Sequence, residues 1–369
     1  MRKKLKILEI CPFSAGICGV WTRAFSESIE FQKKGYGVVI FSSDIEKGTA
    51  KLAKCEEQIE GINIKRFKSK PNFLSKNVTY FNFQKELLKL INKKQVDIVI
   101  THLLHPHSFK ALNLCLKYKI PCYLVTHAPF NVKRRFPLNI ATWIYYNFKV
   151  RPFLNKFTKI IAITKWEIPY LLKLDVKKEK IVYIPNGLPE EFFRQKKSIK
   201  PTKDVLFLGR IAPVKNLEVL LESAKLLPNI SFSIVGSDEE NYLKNLKELI
   251  KRENIKNIEF YPPIYNLKEK IKLIDMHKLF VLPSKREAMP QVLLETMARG
   301  KIVIASKTDG AKEIIKDKKT GLLFDIGNSE QLANLIKQNI HGNKIIEKNA
   351  AKEAEKYSWK KLIKLYPIK

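Results

Sequence analysis

The sequence lacks the cysteine pattern of a disulfide-stabilised or zinc-binding protein. Its 369 residues contain five cysteines, and no two of them form a C-x-x-C pair: Cys11, Cys18, Cys55, Cys115 and Cys122. An odd number without paired spacing argues against a disulfide framework and against a structural zinc site. We therefore expect the protein to work in a reducing cytoplasm.

Glycine and long apolar segments are also scarce, and proline is not enriched. With 14 glycines, 18 prolines and 45% hydrophobic residues, the composition excludes collagen-like and disordered classes. The aromatic segment 138–148 is far shorter than the roughly 20 residues of a membrane-spanning helix. The first residues, MRKKLKILEICPF, lead into a domain and do not resemble a secretory signal. We expect a cytoplasmic protein that meets a membrane only as a peripheral protein, on its inner face.

Acidic residues are few, because 36 Asp and Glu stand against 69 Lys and Arg, for a formal net charge of +33. This excess favours an anionic partner such as a lipid surface or a glycan, although lysine is plentiful throughout and a general compositional bias is the alternative. Residues 131–157 alternate basic with aromatic side chains, as interfacial membrane helices do; an aromatic core helix with basic ends has the same pattern. No nucleic-acid-binding motif accompanies them, so we expect no nucleic-acid partner.

Short apolar strands alternate with helices along the whole chain, which is typical of parallel sheets covered by helices. Since 369 residues exceed one compact core, we expect two α/β domains, 1–196 and 197–356, joined by a polar linker. A final helix at 357–369 is a candidate for a return to the first domain. The predicted strands are 5–11, 38–41, 97–100, 122–125, 159–163, 181–184, 205–208, 230–235, 258–261, 280–282, 302–305 and 322–324.

Ligands of parallel α/β sheets bind beyond the carboxyl ends of the strands. The loop after the first strand contains Gly16, and Asp44 follows the second strand. A dinucleotide site would need the G-x-G-x-x-G fingerprint, which is missing. We therefore set aside a nicotinamide cofactor.

Four histidines follow two neighbouring predicted strands. His102, His105 and His107 surround a proline in a loop that has no carboxylate companion, so we favour structural or solvated roles over metal binding. His127 stands directly beyond the strand 122–125, where ligands bind. It is the histidine that we expect to be functional.

The segment FVLPSKREAMPQVLLETMARG, at 280–300, combines a buried strand, a charged loop and a helix start. A proline suits the first helical turn, and the free N–H groups of Met289 and Gln291 then favour a phosphate at the positive helix end. Glu287 in the loop and Glu295, roughly 8 Å further along the helix, would suit a polyol. The alternative is that both are exposed surface acids.

These residues stand in an order that resembles a known family. Besides the 280–300 segment, the chain has Gly209-Arg210 with Lys215-Asn216, Val235-Gly236, Gly310 with Glu313-Ile314-Ile315, PNG at 185–187 and YSW at 357–359. Together they resemble the retaining GT-B glycosyltransferases of family 4, with Glu287 and Glu295 as the E-x7-E pair. The resemblance covers nearly the whole chain and implies an α/β fold with two Rossmann-like domains, whose parallel sheets face a central cleft.

The resemblance also implies residue roles. His127 and Glu287 would be catalytic, the first steadying the cationic transition state and the second holding the hydroxyls of the donor sugar. Arg210 and Lys215 would neutralise the leaving diphosphate. The further donor-binding residues would be Gly16, Gly236, Met289, Pro290, Gln291 and Glu295, the last of these at the ribose.

The family implies transfer from a UDP- or GDP-sugar to a glycan or lipid-linked acceptor, with retention of configuration. Because no D-x-D motif is assigned and cationic side chains can replace a metal, we expect no metal and no cofactor. Two alternatives remain: a nonhydrolysing sugar-nucleotide 2-epimerase on the same fold, and a basic protein that binds polyanions or lipid.

Overall fold

The computed structural model describes residues 4–14, 19–45, 52–72, 75–131, 136–194, 200–239 and 241–368. The chain divides into two units, which we call the first domain (Met1–Gly187 with Leu362–Lys369) and the second domain (Leu188–Lys361). The division precedes the predicted boundary at residue 196. Its cause is visible in the segment 188–194, because Leu188 N donates to Tyr357 O and Arg299 Nη1 donates to Arg194 O, both within the second domain.

The first domain is built on an eight-stranded sheet in the order β10-β9-β8-β7-β1-β2-β4-β3, with a separate β5–β6 hairpin. All neighbours in the large sheet are parallel except β3, which runs antiparallel to β4. The strands are β1 (Lys6–Cys11), β2 (Gly37–Ser43), β3 (Glu56–Ile59), β4 (Ile62–Phe67), β5 (Ser69–Asn72), β6 (Ser75–Phe81), β7 (Ile98–His102), β8 (Cys122–Val125), β9 (Lys159–Ala162) and β10 (Ile181–Tyr183).

Helices cover this sheet. They are α1 (Gly19–Lys33), α2 (Gln84–Asn92), α3 (Pro106–Lys117), α4 (Leu138–Ile144), α5 (Arg151–Leu154) and α6 (Ile168–Lys173). Helix α1 ends at Lys33, and Gly35 just beyond it has a φ of +88°, a conformation that glycine adopts without strain. The predicted final helix at 357–369 is shorter: α14 (Trp359–Leu362) gives way to a 3-10 turn, Ile363–Leu365.

The second domain has a six-stranded parallel sheet in the order β13-β12-β11-β14-β15-β16. Its strands are β11 (Lys203–Leu208), β12 (Phe232–Val235), β13 (Ile258–Tyr261), β14 (His277–Leu282), β15 (Ile302–Ser306) and β16 (Leu322–Phe324). Its helices are α7 (Leu217–Lys225), α8 (Tyr242–Arg252), α9 (Leu267–Met276), α10 (Gln291–Ala298), α11 (Asp309–Ile314), α12 (Ser329–Asn339) and α13 (Lys344–Ala354). Central strands such as β11 and β14 are almost wholly buried, which explains their continuous apolar runs.

The basic-aromatic stretch 131–157 is partly core and partly exposed surface, so each of the two alternatives fits one part of it. Its end is core, since Val150 and Leu154 are fully buried. Its beginning is surface, where Phe136 and Trp143 are 77% and 60% exposed and Phe148 is also exposed. Within the described residues, no helix combines the length and apolar character needed to span a bilayer.

Candidate active site

The loops after β11 and β12 touch each other through two glycines. Gly209 N donates to Val235 O at 3.0 Å, and a Cβ on Gly236 would lie only 1.7 Å from Gly209 O. This approach requires a residue without a side chain. The next residue, Arg210, forms a salt bridge with Glu239. The predicted donor residues Arg210 and Gly236 therefore lie together at the carboxyl ends of adjacent strands.

Lys215 and Glu287 are in direct contact although 72 positions separate them in the chain. Lys215 Nζ lies 2.6 Å from Glu287 Oε1, and Ser284 Oγ donates to the same oxygen at 2.6 Å. The Lys215 and Glu287 side chains are only 15% and 12% exposed. The structure thus brings a predicted phosphate ligand and a predicted sugar ligand together, and fixes the carboxylate with two donors.

The loop that carries Glu287 is held by backbone contacts on two sides. Gly310 N donates to Glu287 O at 3.2 Å, and a Cβ on Gly310 would lie 2.5 Å from Ala288 O. On the other side, Lys285 N donates to Val214 O at 2.9 Å, beside Lys215. The loop is therefore positioned by its neighbours, which is what a precise ligand contact needs.

The sequence predicts that Pro290 lies in the first turn of helix α10, but the helix begins one residue later, at Gln291. Pro290 is extended, with φ −74° and ψ 100°, and Gln291 is the first helical residue. Met289 and Pro290 are buried, and Gln291 is partly exposed. The first N–H groups of this eight-residue helix follow directly after the Glu287 loop, so the helix end and the Lys215–Glu287 pair belong to one region.

Glu295 is not a surface acid, because its side chain is only 8% exposed. Lys270 Nζ donates to Glu295 Oε1 at 2.9 Å from helix α9. The alternative of a solvated helix carboxylate is therefore wrong for Glu295. Lys270 is a contact that sequence patterns did not indicate.

In the first domain, His127 follows β8 in a left-handed conformation, with φ +60°, and Ala128 continues it at +48°. The preceding Thr126 donates its hydroxyl to Glu167 Oε2 at 2.6 Å. Burial raises the pKa of Glu167 to about 7 against the effect of its hydrogen-bond donors, which include the Ala128 N–H. Glu167 thus accepts from both neighbours of His127, from the Thr126 hydroxyl and from the Ala128 N–H, and supports a strained backbone there.

His127 is joined to a buried network that runs through the first domain. His127 Nε2 lies 3.0 Å from His102 Nδ1, and His102 Nε2 lies 2.8 Å from Glu9 Oε2 on β1 and 3.3 Å from Glu27 Oε1 on α1. Arg23 Nε lies 3.3 Å from Glu27 Oε2. Apart from the partly exposed His127, all these side chains are fully buried.

Burial determines the charges in this network. It is the main reason that the pKa of Glu9 lies well above its usual value and that of Glu27 rises to about 7, although Arg23 opposes both shifts. Burial also lowers the pKa values of His102 and His127 well below the ordinary one. Both imidazoles are therefore neutral at pH 7.

The expectation that the three neighbouring histidines at 102–107 have no carboxylate companion is wrong for His102, which contacts Glu9 and Glu27. His105 and His107 are buried and hydrogen-bonded. His107 Nε2 contacts His102 O at 2.8 Å, and the Nδ1 atoms of His105 and His107 lie 2.5 Å apart. In the described parts of the chain, the group with metal-ligand chemistry is instead Glu9, Glu27 and His102. Its 2.8 Å spacing between Glu9 and His102 is that of a hydrogen bond, and Arg23 already supplies a positive charge.

Some predicted residues cannot be placed. Gly16, predicted to approach the donor, lies outside the described residues, as do the basic residues Lys133, Arg134 and Arg135.

Family models match both halves of the chain. "Glycosyltransferase Family 4" matches residues 17–192, and "Glycosyl transferases group 1" matches residues 189–357. The first match includes every strand of the first domain except β1, and the second includes all six strands of the second domain's sheet. Together they span the candidate site residues from His127 to Glu295.

Individual proteins agree with the family models. An uncharacterized glycosyltransferase of Methanocaldococcus jannaschii is 26% identical over 74% of this chain and 75% of its own length. The Escherichia coli UDP-Gal:α-D-GlcNAc-diphosphoundecaprenol α-1,3-galactosyltransferase is 26% identical over 71% of this chain and 72% of its own. Anabaena HepE, solved with UDP-glucose, shares the fold with a TM-score of 0.73 at 16% identity, over 98% of this chain and 97% of its own.

Proposed function

The chain belongs to the GT-B glycosyltransferases of group 1 and family 4, and on that premise we propose that it moves a sugar from a nucleoside diphosphate sugar to a hydroxyl of a lipid-linked glycan, with retention of configuration. The donor we propose is a UDP-sugar. HepE was solved with UDP-glucose, and the Escherichia coli relative is named for a UDP-Gal donor.

The observation that carries this proposal is the Lys215–Glu287 pair beside the start of α10. A diphosphate needs positive charge and N–H donors, which Lys215, Arg210 and the helix end supply. A sugar needs fixed hydrogen-bond acceptors, and Glu287 is fixed by Lys215 and Ser284. A buried Glu295 in the same helix suits the ribose hydroxyls.

Retention is proposed through a front-face reaction. In it, the bond between the sugar carbon and the diphosphate breaks, and the acceptor oxygen bonds to the same face of that carbon. The departing phosphate takes the proton of the acceptor hydroxyl. Lys215 and Arg210 stabilise the charge that develops on the phosphate, and His127 hydrogen-bonds the donor sugar. Because two cationic side chains can supply the charge that a metal would otherwise supply, we propose that transfer needs neither metal nor cofactor.

Donor binding is the first test. A thermal-shift screen of UDP, GDP, ADP and their sugars is expected to raise the melting temperature with UDP compounds, since a ligand of the folded state stabilises it by RT ln(1 + [L]/Kd). Glu295→Gln should weaken UDP stabilisation more than Glu287→Gln, because we place Glu295 at the ribose. Identical curves with every nucleotide, and no UDP release on adding acceptor with or without EDTA, would rule out the proposal.

The acceptor is proposed from the exposed beginning of the stretch 131–157. Trp143 and Phe148 lie side by side on the surface, with ring centroids 6.2 Å apart. Lys149 is exposed beside them, and residues 131–157 contain no Asp or Glu. An apolar aromatic face with basic flanks matches an anionic membrane surface, where a diphosphoundecaprenol-linked acceptor such as that of the Escherichia coli relative would be found.

Trp143→Ser/Phe148→Ser is expected to reduce binding to vesicles containing anionic lipid about tenfold or more, because two apolar rings no longer enter the interface. Flotation of the purified protein measures this. Ile345→Ser is the matched control, since Ile345 is 74% exposed on the second domain. Equal flotation of the double variant and wild type would remove the membrane proposal and leave donor binding untouched.

A further inference from the structure

The ring of His127 has one nitrogen inside the buried network, so the network decides what its other nitrogen can do. A neutral imidazole has one N–H and one lone pair. His127 Nε2 and His102 Nδ1 lie 3.0 Å apart, and one of them must donate to the other. The state of His102 therefore fixes whether His127 Nδ1 is a donor or an acceptor.

The state of His102 depends in turn on Glu9. His102 Nε2 and Glu9 Oε2 are 2.8 Å apart, which requires a single proton between them. If the carboxyl of Glu9 donates, His102 must donate from Nδ1, and His127 must then hold its proton on Nδ1. If Glu9 accepts instead, both hydrogen bonds reverse direction, and His127 holds its proton on Nε2.

The contacts of Glu27 point to Glu27, and not Glu9, as the ionised carboxyl of the two. Glu27 Oε2 accepts from the Tyr366 hydroxyl at 2.5 Å and lies 3.3 Å from Arg23 Nε. Arg23 is also held by Ile184 O and Asn186 Oδ1, each 3.0 Å from its Nη1. Arg23 and Glu27 thus form a neutral buried pair, and a second carboxylate buried at Glu9 would have to share Arg23 with Glu27.

We propose that Glu9 is a protonated acid that donates to His102, and that His102 is a positioning residue which holds His127 as the Nδ1–H tautomer, presenting a hydrogen-bond donor to the donor sugar. Tyr366 belongs to this arrangement, because its hydroxyl keeps Glu27 paired with Arg23. The inference rests on the proposed function only for the sugar; the proton arrangement stands on the geometry.

The C-terminal segment is thereby tied to the site. Tyr366 comes from residues 362–369, which join the first domain, and its ring packs edge-on against Phe31 with centroids 5.0 Å apart. Tyr123 Oη also donates to Pro367 O at 2.9 Å. The segment is held by packing independently of the Tyr366 hydroxyl, so the hydroxyl can be removed without removing the segment.

The test is the tautomer itself, measured by ¹⁵N NMR on the full-length protein with labelled histidine at pH 7, with His127 assigned from the signals lost in His127→Asn. We expect the proton on Nδ1. Glu9→Gln should keep this tautomer and most of the activity, because a glutamine amide also donates to His102. His102→Leu should give His127 a mixture of tautomers and lower kcat about tenfold or more, with UDP binding unchanged.

Tyr366→Phe is expected to shift His127 toward the mixture as well, whereas Tyr36→Phe, which alters a second tyrosine beside Phe31, should not. A proton on Nε2 of His127 in the wild type would overturn the inference. Loss of the Nδ1–H tautomer of His127 in a folded Glu9→Gln variant would also overturn the inference. Since these readouts need no substrate, they remain decisive even if no nucleotide sugar is turned over; conversely, sugar transfer with the opposite tautomer would refute the relay alone.

Discussion

Lys215→Ala is expected to lower kcat for sugar transfer by about 10²–10³-fold, the usual effect of removing one preorganised group that stabilises developing charge. Lys215 Nζ lies 2.6 Å from Glu287 Oε1 in a site that is mostly shielded from water. Removing it takes a cation from the proposed diphosphate and a hydrogen-bond donor from the Glu287 carboxylate. Steady-state kinetics with the UDP-sugar found in the binding screen would measure the loss.

A surface lysine provides the comparison. Lys225 Nζ lies 2.9 Å from Glu253 Oε2, but its side chain is 56% exposed. Lys225→Ala should leave kcat within about twofold of wild type, because exposed ion pairs contribute little. Lys215→Arg should recover only part of the loss, since the charge returns in a different shape. Wild-type activity of Lys215→Ala would contradict the role we assign to the pair.

The positions of the strands could be predicted where both faces of a strand are covered. The buried parallel strand β8, CYLV, is a continuous apolar run, and β12, FSIV, is buried throughout with a single serine. Strands β3 to β6 were all missed. In β3 half of the residues are exposed and the sequence is EEQI, and in β4 buried residues alternate with more exposed ones. An edge strand of this kind has no apolar run, so only its pairing with β4 reveals it.

The candidate site also has residues that could be predicted from the sequence and contacts that could not. Glu287 and Glu295 could be identified from their spacing and from the family resemblance, yet their partners Lys215 and Lys270 come from other elements of the second domain. Spacing along one segment carries no information about such contacts.

The sequence contains one signal that could have indicated the buried network. Glu9 stands within the apolar strand KILEIC, and a carboxyl in the middle of a buried strand needs a partner. Arg23 and Glu27 lie four residues apart on α1, so the sequence also places a cation and a second carboxylate on one face of that helix. What the sequence could not supply was the link to His127, which depends on His102 lying between β1 and β8 in the sheet.

Gly236→Ala is expected to destabilise the second domain by about 3 kcal/mol, at the upper end of the usual cost of overpacking. The new Cβ would lie 1.7 Å from Gly209 O and 2.8 Å from its carbonyl carbon, so the loops after β11 and β12 must separate. Calorimetry should show a fall of about 6 °C or more in the melting temperature. Because Arg210 follows Gly209 directly, stabilisation by UDP should decrease in the same variant.

Gly209→Ala separates this backbone clash from a general cost of replacing a loop glycine. Its Cβ would meet Phe207 at 3.4 Å and Lys215 Cε at 4.0 Å, which are ordinary contacts with side chains. Gly209→Ala should therefore melt within about 2 °C of wild type, since a shift of this size corresponds to less than about 1 kcal/mol. If both variants melted alike, the approach of the two loops would not be what requires a glycine at 236. The difference between their melting temperatures thus measures, without any ligand, how much the close approach of the two loops contributes to stability. The same approach places Arg210 beside the end of β12.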